Sequence, residues 1–588
     1  MLIVLLNWIF ILITSYSIGY AVIYAILSAF GVRSRTNLEE YIKKLPSYNV
    51  LILLLGLAFI TAYAEFFSLA TGVSVVADCV LTAVSIVAFI AYRKSISRLV
   101  AEGKKSRIWL YVILTALFAY GTSRGYMHHD TNLYHAQAIR WIEDYGLVPG
   151  LANLQSRFGY NSSEFALNAL YSGKWLTGQS MHATAGLFAL LSSLVLVDII
   201  HIWEKKDANG KVVINIRLSD YVRLGMLFYL GIIYSEMISP ASDYYAQLMI
   251  FNLVIMWLDM NVLGKEDAVT FSSEMINEYR GLLCILLVYA ITIKLSIGLL
   301  VLLALIPGIE WIHSKEYKKI WTCIVAGLVI SVPYFIRNYI ISGWILYPST
   351  IIKIGSPDWQ LPKGEAQYDA REIGMWGRGI TRAEDWESVT ATNWIRSWFN
   401  NLELLEKAWV LASLVAVIAV IVLLVIGFIV LVKRDREINN ELLIMSILAV
   451  GTIFWFCSAP LVRYGYAYLM IMPLLTLGYM LERMSEANLK NGLIIQRVIF
   501  IFIATVIVIL KGKGLVTDII RTCGQDYYIM QQDYIDGEAH SYLVDGETIY
   551  VADDAGQIGY YKFPATPDEN YSFALRGQGL KEGFRHKE

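Results

Sequence analysis

Charge is scarce in this sequence: Asp, Glu, Lys and Arg make up 16% of the 588 residues, where ordinary globular chains carry about a quarter. The formal net charge is -1, so there is no global nucleic-acid signature and any electrostatic argument rests on where the charges lie. Cysteine is sparse too. Of five, Cys79, Cys284, Cys323 and Cys457 lie inside or at the ends of apolar runs, without CxxC or Cys/His spacing, and read as small buried hydrophobes. No internal repeat is present, which disfavours the inverted-repeat transporters. The apolar N-terminus, from Leu2 to about Phe30, has no basic n-region and is too long for a signal-peptide core. It is expected to be a retained first span.

What is abundant is apolar: 57% of the residues, with a mean hydropathy of +0.53. These residues are grouped in runs long enough to cross a hydrocarbon core, which takes roughly 20 helical residues. Runs fall near 2–30, 48–70, 72–92, 108–122, 182–203, 221–237, 243–262, 281–294, 296–312, 320–336, 408–432, 441–458, 464–482 and 493–511. The expected fold is therefore an all-α polytopic membrane protein with about fourteen transmembrane helices.

Basic residues sort onto alternate loops. Arg33, Arg35, Lys43 and Lys44 follow the first run, and Arg93, Lys94, Arg98, Lys104, Lys105 and Arg107 follow the third. Lys205 and Lys206, then Lys315, Lys318 and Lys319, then Lys433, Arg434 and Arg436 repeat the sign. The positive-inside rule makes these loops cytoplasmic. That parity requires 281–312 to cross twice, with a hairpin near Lys294-Leu295-Ser296. The N-terminus, the segments 123–180 and 338–407 and the tail from 512 then face outside, with short outer turns near Ser239-Pro240 and Ser458-Ala459-Pro460.

The densest polar information lies in the first outer segment, His128-His129-Asp130-Thr131-Asn132-Leu133-Tyr134-His135. A short interfacial helix is expected to follow, with Tyr134, Ala138, Trp141, Ile142 and Tyr145 on one face and Gly146 and Pro149 ending it. Asp130 has two compatible readings. It is a helix cap, or a carboxylate at the apolar boundary that serves as a base. His128, His129 and His135 are potential metal ligands, but no carboxylate pair stands at a reliable spacing, so no metal or other cofactor is expected.

An acidic residue just after a span, a Tyr four residues on, an interfacial helix and a closing Gly-x-x-Pro resemble the first extracytoplasmic loop of the GT-C superfamily. These are membrane glycosyltransferases that use polyprenyl-phosphate sugar donors. The resemblance implies that Asp130 is the catalytic base. Gly150 to Ser163, which includes Arg157, is similar to a group of uncharacterised bacterial envelope membrane proteins within that superfamily. Pro333-Tyr334-Phe335-Ile336-Arg337-Asn338-Tyr339, running on to Tyr347-Pro348, and Pro460-Leu461-Val462-Arg463-Tyr464 resemble two further elements of these proteins, in the same order. Two departures stand out. His-Asp replaces a paired acidic motif, and three spans precede the one leading into the loop.

The resemblance implies an inverting hexosyl or pentosyl transfer, with Asp130 as base and Asp243 as a second acidic site residue. Arg337, Arg463 and Lys294 would hold the donor phosphate, since fixed cations stabilise a leaving phosphate. His128, His129, Tyr134, His135, Arg157, Asn338 and Tyr464 complete the candidate site. Competing readings remain: Asp243 as a helix cap, and Arg337 and Arg463 as headgroup anchors. Lys294, ionisable within an apolar stretch, is a functional candidate by position alone, whereas Asp78 reads as interhelical glue. The implied partners are membrane lipid, a polyprenyl-phosphate sugar donor and a glycan or lipid acceptor, without nucleic acid. The implied location is the plasma (inner) membrane, with the site extracytoplasmic. A polysaccharide polymerase or ligase using a lipid-diphosphate donor, and a transporter or lipid-linked sugar flippase, are the rival functions.

Three regions follow from this reading: extra N-terminal helices at 1–107, a core at 108–511 carrying the outer segments 123–180 and 338–407, and a small outer tail at 512–588. The tail shows one strand-like run, Glu547 to Val551, and a core sparse enough to need support from the membrane body.

Overall fold

A computed structural model describes residues 1–102, 107–204, 214–267, 269–434, 440–486, 491–554 and 556–587. Lys104, Lys105, Lys205, Lys206 and Arg436 lie outside the described residues, as do the side chains of Lys433 and Arg434. The chain is an all-α polytopic membrane protein with a small β appendage. Among the described residues, twelve helices are long and apolar enough to cross a membrane: Leu2–Ala29, Tyr48–Ser68, Val75–Ala101, Thr184–Trp203, Ser242–Lys265, Ser273–Ile293, Leu295–His313, Tyr317–Ser342, Leu404–Gly427, Asn440–Ser458, Val462–Glu486 and Gly492–Thr522. The other two runs expected to span fall on 16-residue helices, Ile108–Ser123 and Leu218–Ile233.

Burial separates an inner set from an outer one. Ser242–Lys265 and Ser273–Ile293 are 89% and 83% buried along their most apolar windows, whereas Val75–Ala101 and Gly492–Thr522 are 22% and 17% buried. The outer helices present Val84, Val87, Ile90, Phe502 and Ile509 outward. That arrangement suits lipid, where helices associate through close packing rather than by hiding apolar surface. The first two long helices show the packing directly. A Cβ at Gly19 would lie 1.9 Å from the Ile52 carbonyl oxygen, and one at Gly56 equally close to that of Ser15, so the backbones meet only because both residues are glycine.

The chain doubles back at Lys294, whose extended backbone separates Ser273–Ile293 from a ten-residue 3-10 stretch, Leu295–Ala304. Among the described residues, the basic side chains Arg35, Lys43, Arg107 and Lys319 gather at one end of the bundle. There Lys319 meets Glu278 at 2.8 Å, Arg35 meets Glu278 at 2.5 Å, Lys43 meets Glu102 at 2.6 Å and Arg107 meets Asp198 at 3.0 Å.

The segments 123–180 and 338–407, the first and second loops, gather with the tail at the opposite end. The tail begins after the helix Gly492–Thr522 and holds more β structure than the single expected strand. Strand β1 (Ala539–Val544) pairs antiparallel with β2 (Glu547–Ala552), which pairs in parallel with β3 (Ala565–Thr566), while β4 (Phe573–Leu575) pairs with β5 (Phe584–His586). The β1–β2 turn uses Asp545 and Gly546 at φ 50 and 92, the two positive angles of a tight hairpin turn. As its sparse core implies, the tail leans on the first loop. The Phe563 ring sits 4.5 Å from Trp141, Gln137 donates to the Gly559 and Lys562 carbonyls, and Ile558 and Gly559 N–H groups reach the Asn132 carbonyl.

Candidate functional site

After the helix Ile108–Ser123 the chain is pinned by His128 N–H donating to Ser239 Oγ at 2.7 Å, on the short turn Ser239-Pro240. Thr131–His135 then forms a π-helical turn leading into the helix Ala136–Asp144. Such turns concentrate at functional sites because they re-aim a side chain without ending the helix. Asp130 occupies the N-cap position of this turn, yet its side chain makes no capping hydrogen bond. It reaches away instead. Arg463 Nη2 donates to Asp130 Oδ2 at 2.8 Å, and His129 Nδ1 lies 3.6 Å from Oδ1.

Arg463 belongs to the first turn of Val462–Glu486, after Ser458-Ala459-Pro460. Its Nη1 lies 2.9 Å from His128 Nε2 and its Nε 3.7 Å from Asp243 Oδ2. Asp243 also declines to cap its helix: Ser242–Glu266 has no side-chain cap, and the Asp243 carboxylate pairs with Lys294. The Lys294 ammonium stands 3.8 Å from the centre of the Tyr464 ring, a cation–π contact. Two carboxylates and two cations, drawn from four separate segments, thus form one chain of ion pairs, Asp130–Arg463–Asp243–Lys294.

The electrostatics follow from this arrangement. Burial alone would raise the Asp130 pKa, but the His129 ring and the Arg463 guanidinium reverse that and hold its carboxyl well below the usual range. His128 is held below its ordinary value by burial and by Arg463. Both its ring nitrogens face donors, Arg463 at Nε2 and the Asp130 N–H at Nδ1, 3.1 Å away; a neutral imidazole accepts from one of them and an imidazolium from neither. Burial pushes His135 down to about 3. Its ring packs between Tyr134, 4.3 Å away, and Phe165, 5.2 Å away. The Tyr134 hydroxyl is held well above its usual pKa by burial and by the Asp130 carboxylate, so it stays a donor.

Not every candidate joins this cluster. Arg337 is buried in the helix Tyr317–Ser342, giving Nε and Nη2 to Asn161 Oδ1 at 3.1 and 3.0 Å and Nη1 to Ser68 Oγ. It is neither a headgroup anchor nor a member of the ion-pair chain. Asn338 is likewise buried, between Asn161 and the Ile345 carbonyl. Arg157 lies on the second-loop side, bonded to Glu372 at 2.9 Å and 5.8 Å from the Trp376 ring. Asp78, expected to be merely interhelical, accepts from the Trp175 indole at 2.7 Å.

Gln247 escaped the sequence reading. It donates to the Tyr464 carbonyl at 2.9 Å and accepts from Ala467 N–H at 2.7 Å, fixing the turn that carries Arg463. Its position, one helical turn beyond Asp243 on the same face, was the available signal. Among the described residues, no three His, Cys, Asp or Glu side chains converge as a metal-ligand set. Two cavities among the described residues lie away from this cluster. One of about 300 Å³ is lined by Arg378, Arg382 and Trp394 of the second loop, and one of about 720 Å³ lies between the first loop and the tail.

Residues 1–470 match the family model described as Domain of unknown function (DUF8201). The chain belongs to that family. No curated protein and no solved structure matches it.

Proposed function

We propose that this DUF8201 chain is a glycosyltransferase of the GT-C type, moving a sugar from a polyprenyl-phosphate donor to an envelope glycan or lipid acceptor. In this reading the chain crosses the plasma membrane fourteen times and works on the extracytoplasmic face. The alternation of basic loops supports that orientation. The observation that carries the function is the meeting of Asp130, Arg463, Asp243 and Lys294 at the end of the bundle where the two large loops and the tail also gather.

The chemistry is a displacement at the anomeric carbon. Its bond to the donor phosphate oxygen breaks, a bond to the acceptor oxygen forms, and the acceptor proton passes to Asp130. Resting Asp130 is a weak base, because Arg463 stabilises its charged form. A donor phosphate competes for the planar Arg463 guanidinium and for the point charge of the Lys294 ammonium. As Arg463 turns to the phosphate, Asp130 loses its cation and its basicity rises toward that of an ordinary carboxylate. Donor binding thereby arms the base, whose contribution is about 10²- to 10⁴-fold. Tyr134 and the neutral His128 remain as hydrogen-bonding groups around the reacting hydroxyl.

Purified protein in liposomes, incubated with polyprenyl-phosphate sugars, tests the reading through release of free polyprenyl phosphate. Release that depends on Asp130 and Arg463 is the expected result. Turnover of lipid-diphosphate oligosaccharides alone would replace the reading with a polymerase or ligase.

A further inference from the structure

The cavity of about 720 Å³ is an open groove between the helix Ala136–Asp144 and the β1–β2–β3 sheet, lined by Arg140, Asp144, Tyr145, Glu547, Tyr550 and Phe563 among others. Three of its lining residues are half-buried aromatics. The Tyr145 and Phe563 rings lie 6.0 Å apart with planes inclined by 23°.

The polar groups narrow the ligand. Arg140, the lining guanidinium, is already engaged: Nη1 donates to the Tyr560 and Tyr561 carbonyls at 2.8 Å each, Nε donates to Asp144 at 3.2 Å, and the group sits 4.5 Å from the Phe563 ring centre. Of the two lining carboxylates, Asp144 is paired with Arg140 and, at 2.8 Å, with Lys174, so Glu547 sets the remaining charge of the space and an anionic ligand meets no uncommitted cation there. Strand addition by a peptide has little edge to use, because β1 pairs one side of β2 throughout and β3 takes Tyr550 and Val551 on the other, leaving only Glu547 to Ile549. Flat aromatic faces suit the C–H faces of a sugar ring, and carboxylates suit its hydroxyls as strong acceptors.

We propose that this groove binds a neutral carbohydrate chain. Its role rests on the glycosyltransferase reading, in which it holds the body of a glycan acceptor. Arg140 stands ten residues beyond Asp130 along one nearly continuous helical run, which at about 1.5 Å per residue separates the groove from the ion-pair cluster by about 15 Å. That distance leaves room for several sugar units, with the growing end at Asp130.

Calorimetry on the purified full chain without donor tests the site, using maltohexaose, an N-acetylglucosamine hexamer and a galacturonate hexamer as probes. Saturable binding of at least one neutral hexamer is expected, weakened about tenfold by Tyr145→Ala and by Tyr550→Ala, with weaker or no binding of the galacturonate. Glu547→Gln, at a partly exposed position, keeps the aromatic platform and is expected to weaken binding about threefold. Absence of binding by both neutral hexamers, preference for the galacturonate, or affinities unchanged in all three variants would overturn the proposal. A parent protein that binds a neutral hexamer yet releases no polyprenyl phosphate would fail the catalytic reading while the groove stands, and one that releases polyprenyl phosphate yet binds no neutral hexamer would fail the groove alone.

Discussion

Arg463 and Asp130, 333 residues apart in sequence, are joined at 2.8 Å, and through this contact the late helix Val462–Glu486 is tied to the first loop. Neither side chain is sealed from solvent, with 32% and 17% of their surfaces exposed. An exchange of partners is therefore physically open to both. A buried, saturated pair would be frozen; this one is not.

The first prediction concerns the base. Asp130→Asn keeps the size of the side chain and its ability to accept from Arg463, but an amide cannot take a proton. Transfer should fall by about 10²-fold or more with little change in melting temperature. Normal turnover in a folded Asn variant would remove Asp130 from the chemistry.

The second concerns donor recognition. Arg463→Ala should raise the apparent KM for the lipid donor, and Arg463→Lys should restore only part of it, because one ammonium cannot reproduce the fork that spans His128 and Asp130. Lys294→Ala should act in the same direction and leave Asp243 with Arg463 alone. Unchanged donor KM in both alanine variants would place the phosphate site elsewhere.

Much of this was legible in the sequence because lipid imposes long apolar runs, and span ends are where polar chemistry meets them. Asp130, Asp243, Lys294 and Arg463 were all marked by that position, and the hairpin at Lys294 followed from charge parity. Arg337 was marked by the same rule and went inward. A span-end arginine looks alike in sequence whether it faces water or protein, and its partners Asn161 and Ser68 lie 176 and 269 residues away. The caps misled for a related reason: Asp130 and Asp243 occupy first-turn positions but spend their carboxylates on distant cations. Strands β3, β4 and β5, of two or three residues each, are too short to show an alternating pattern.

Arg337 supplies a third prediction, opposite in kind to that for Arg463. Its alanine variant leaves Asn161 and Ser68 without their buried donor, which typically costs about 1–3 kcal/mol per unsatisfied group. Arg337→Ala should lower the melting temperature markedly, while donor KM in the surviving folded fraction stays close to that of the parent. A stable variant with a raised KM would return Arg337 to the donor site.

Orientation gives a fourth. In a cysteine-free background, Tyr126→Cys and Tyr571→Cys, both at exposed positions on the loop-and-tail end, should react with an impermeant thiol reagent in intact cells or spheroplasts. Arg98→Cys, at the basic end, should react only after lysis. The reverse pattern would invert the topology and put the cluster in the cytoplasm.

The last prediction follows from the buried histidine. His135 carries a folded-state pKa of about 3 against about 6.5 for a free imidazole, so the fold favours its neutral form. Stability from that preference is complete above about pH 6.5 and declines as the pH falls toward 3, because the unfolded chain takes up the proton first. His128, also lowered, and Asp130, held low, decline in the same direction on acidification. Glu143 and Glu164 oppose them: burial raises both, so each becomes less costly to the fold as the pH falls. Whole-protein stability therefore mixes signs, and a difference measurement is needed. His135→Phe removes the titrating group while keeping a ring between Tyr134 and Phe165. Relative to this variant, the parent should lose about 1.4 kcal/mol per pH unit below 6.5, or about 3 kcal/mol by pH 4.5, with no relative change between pH 7 and 9. Parallel pH–stability curves for the two proteins would show that His135 titrates normally and that water reaches the heart of the first loop.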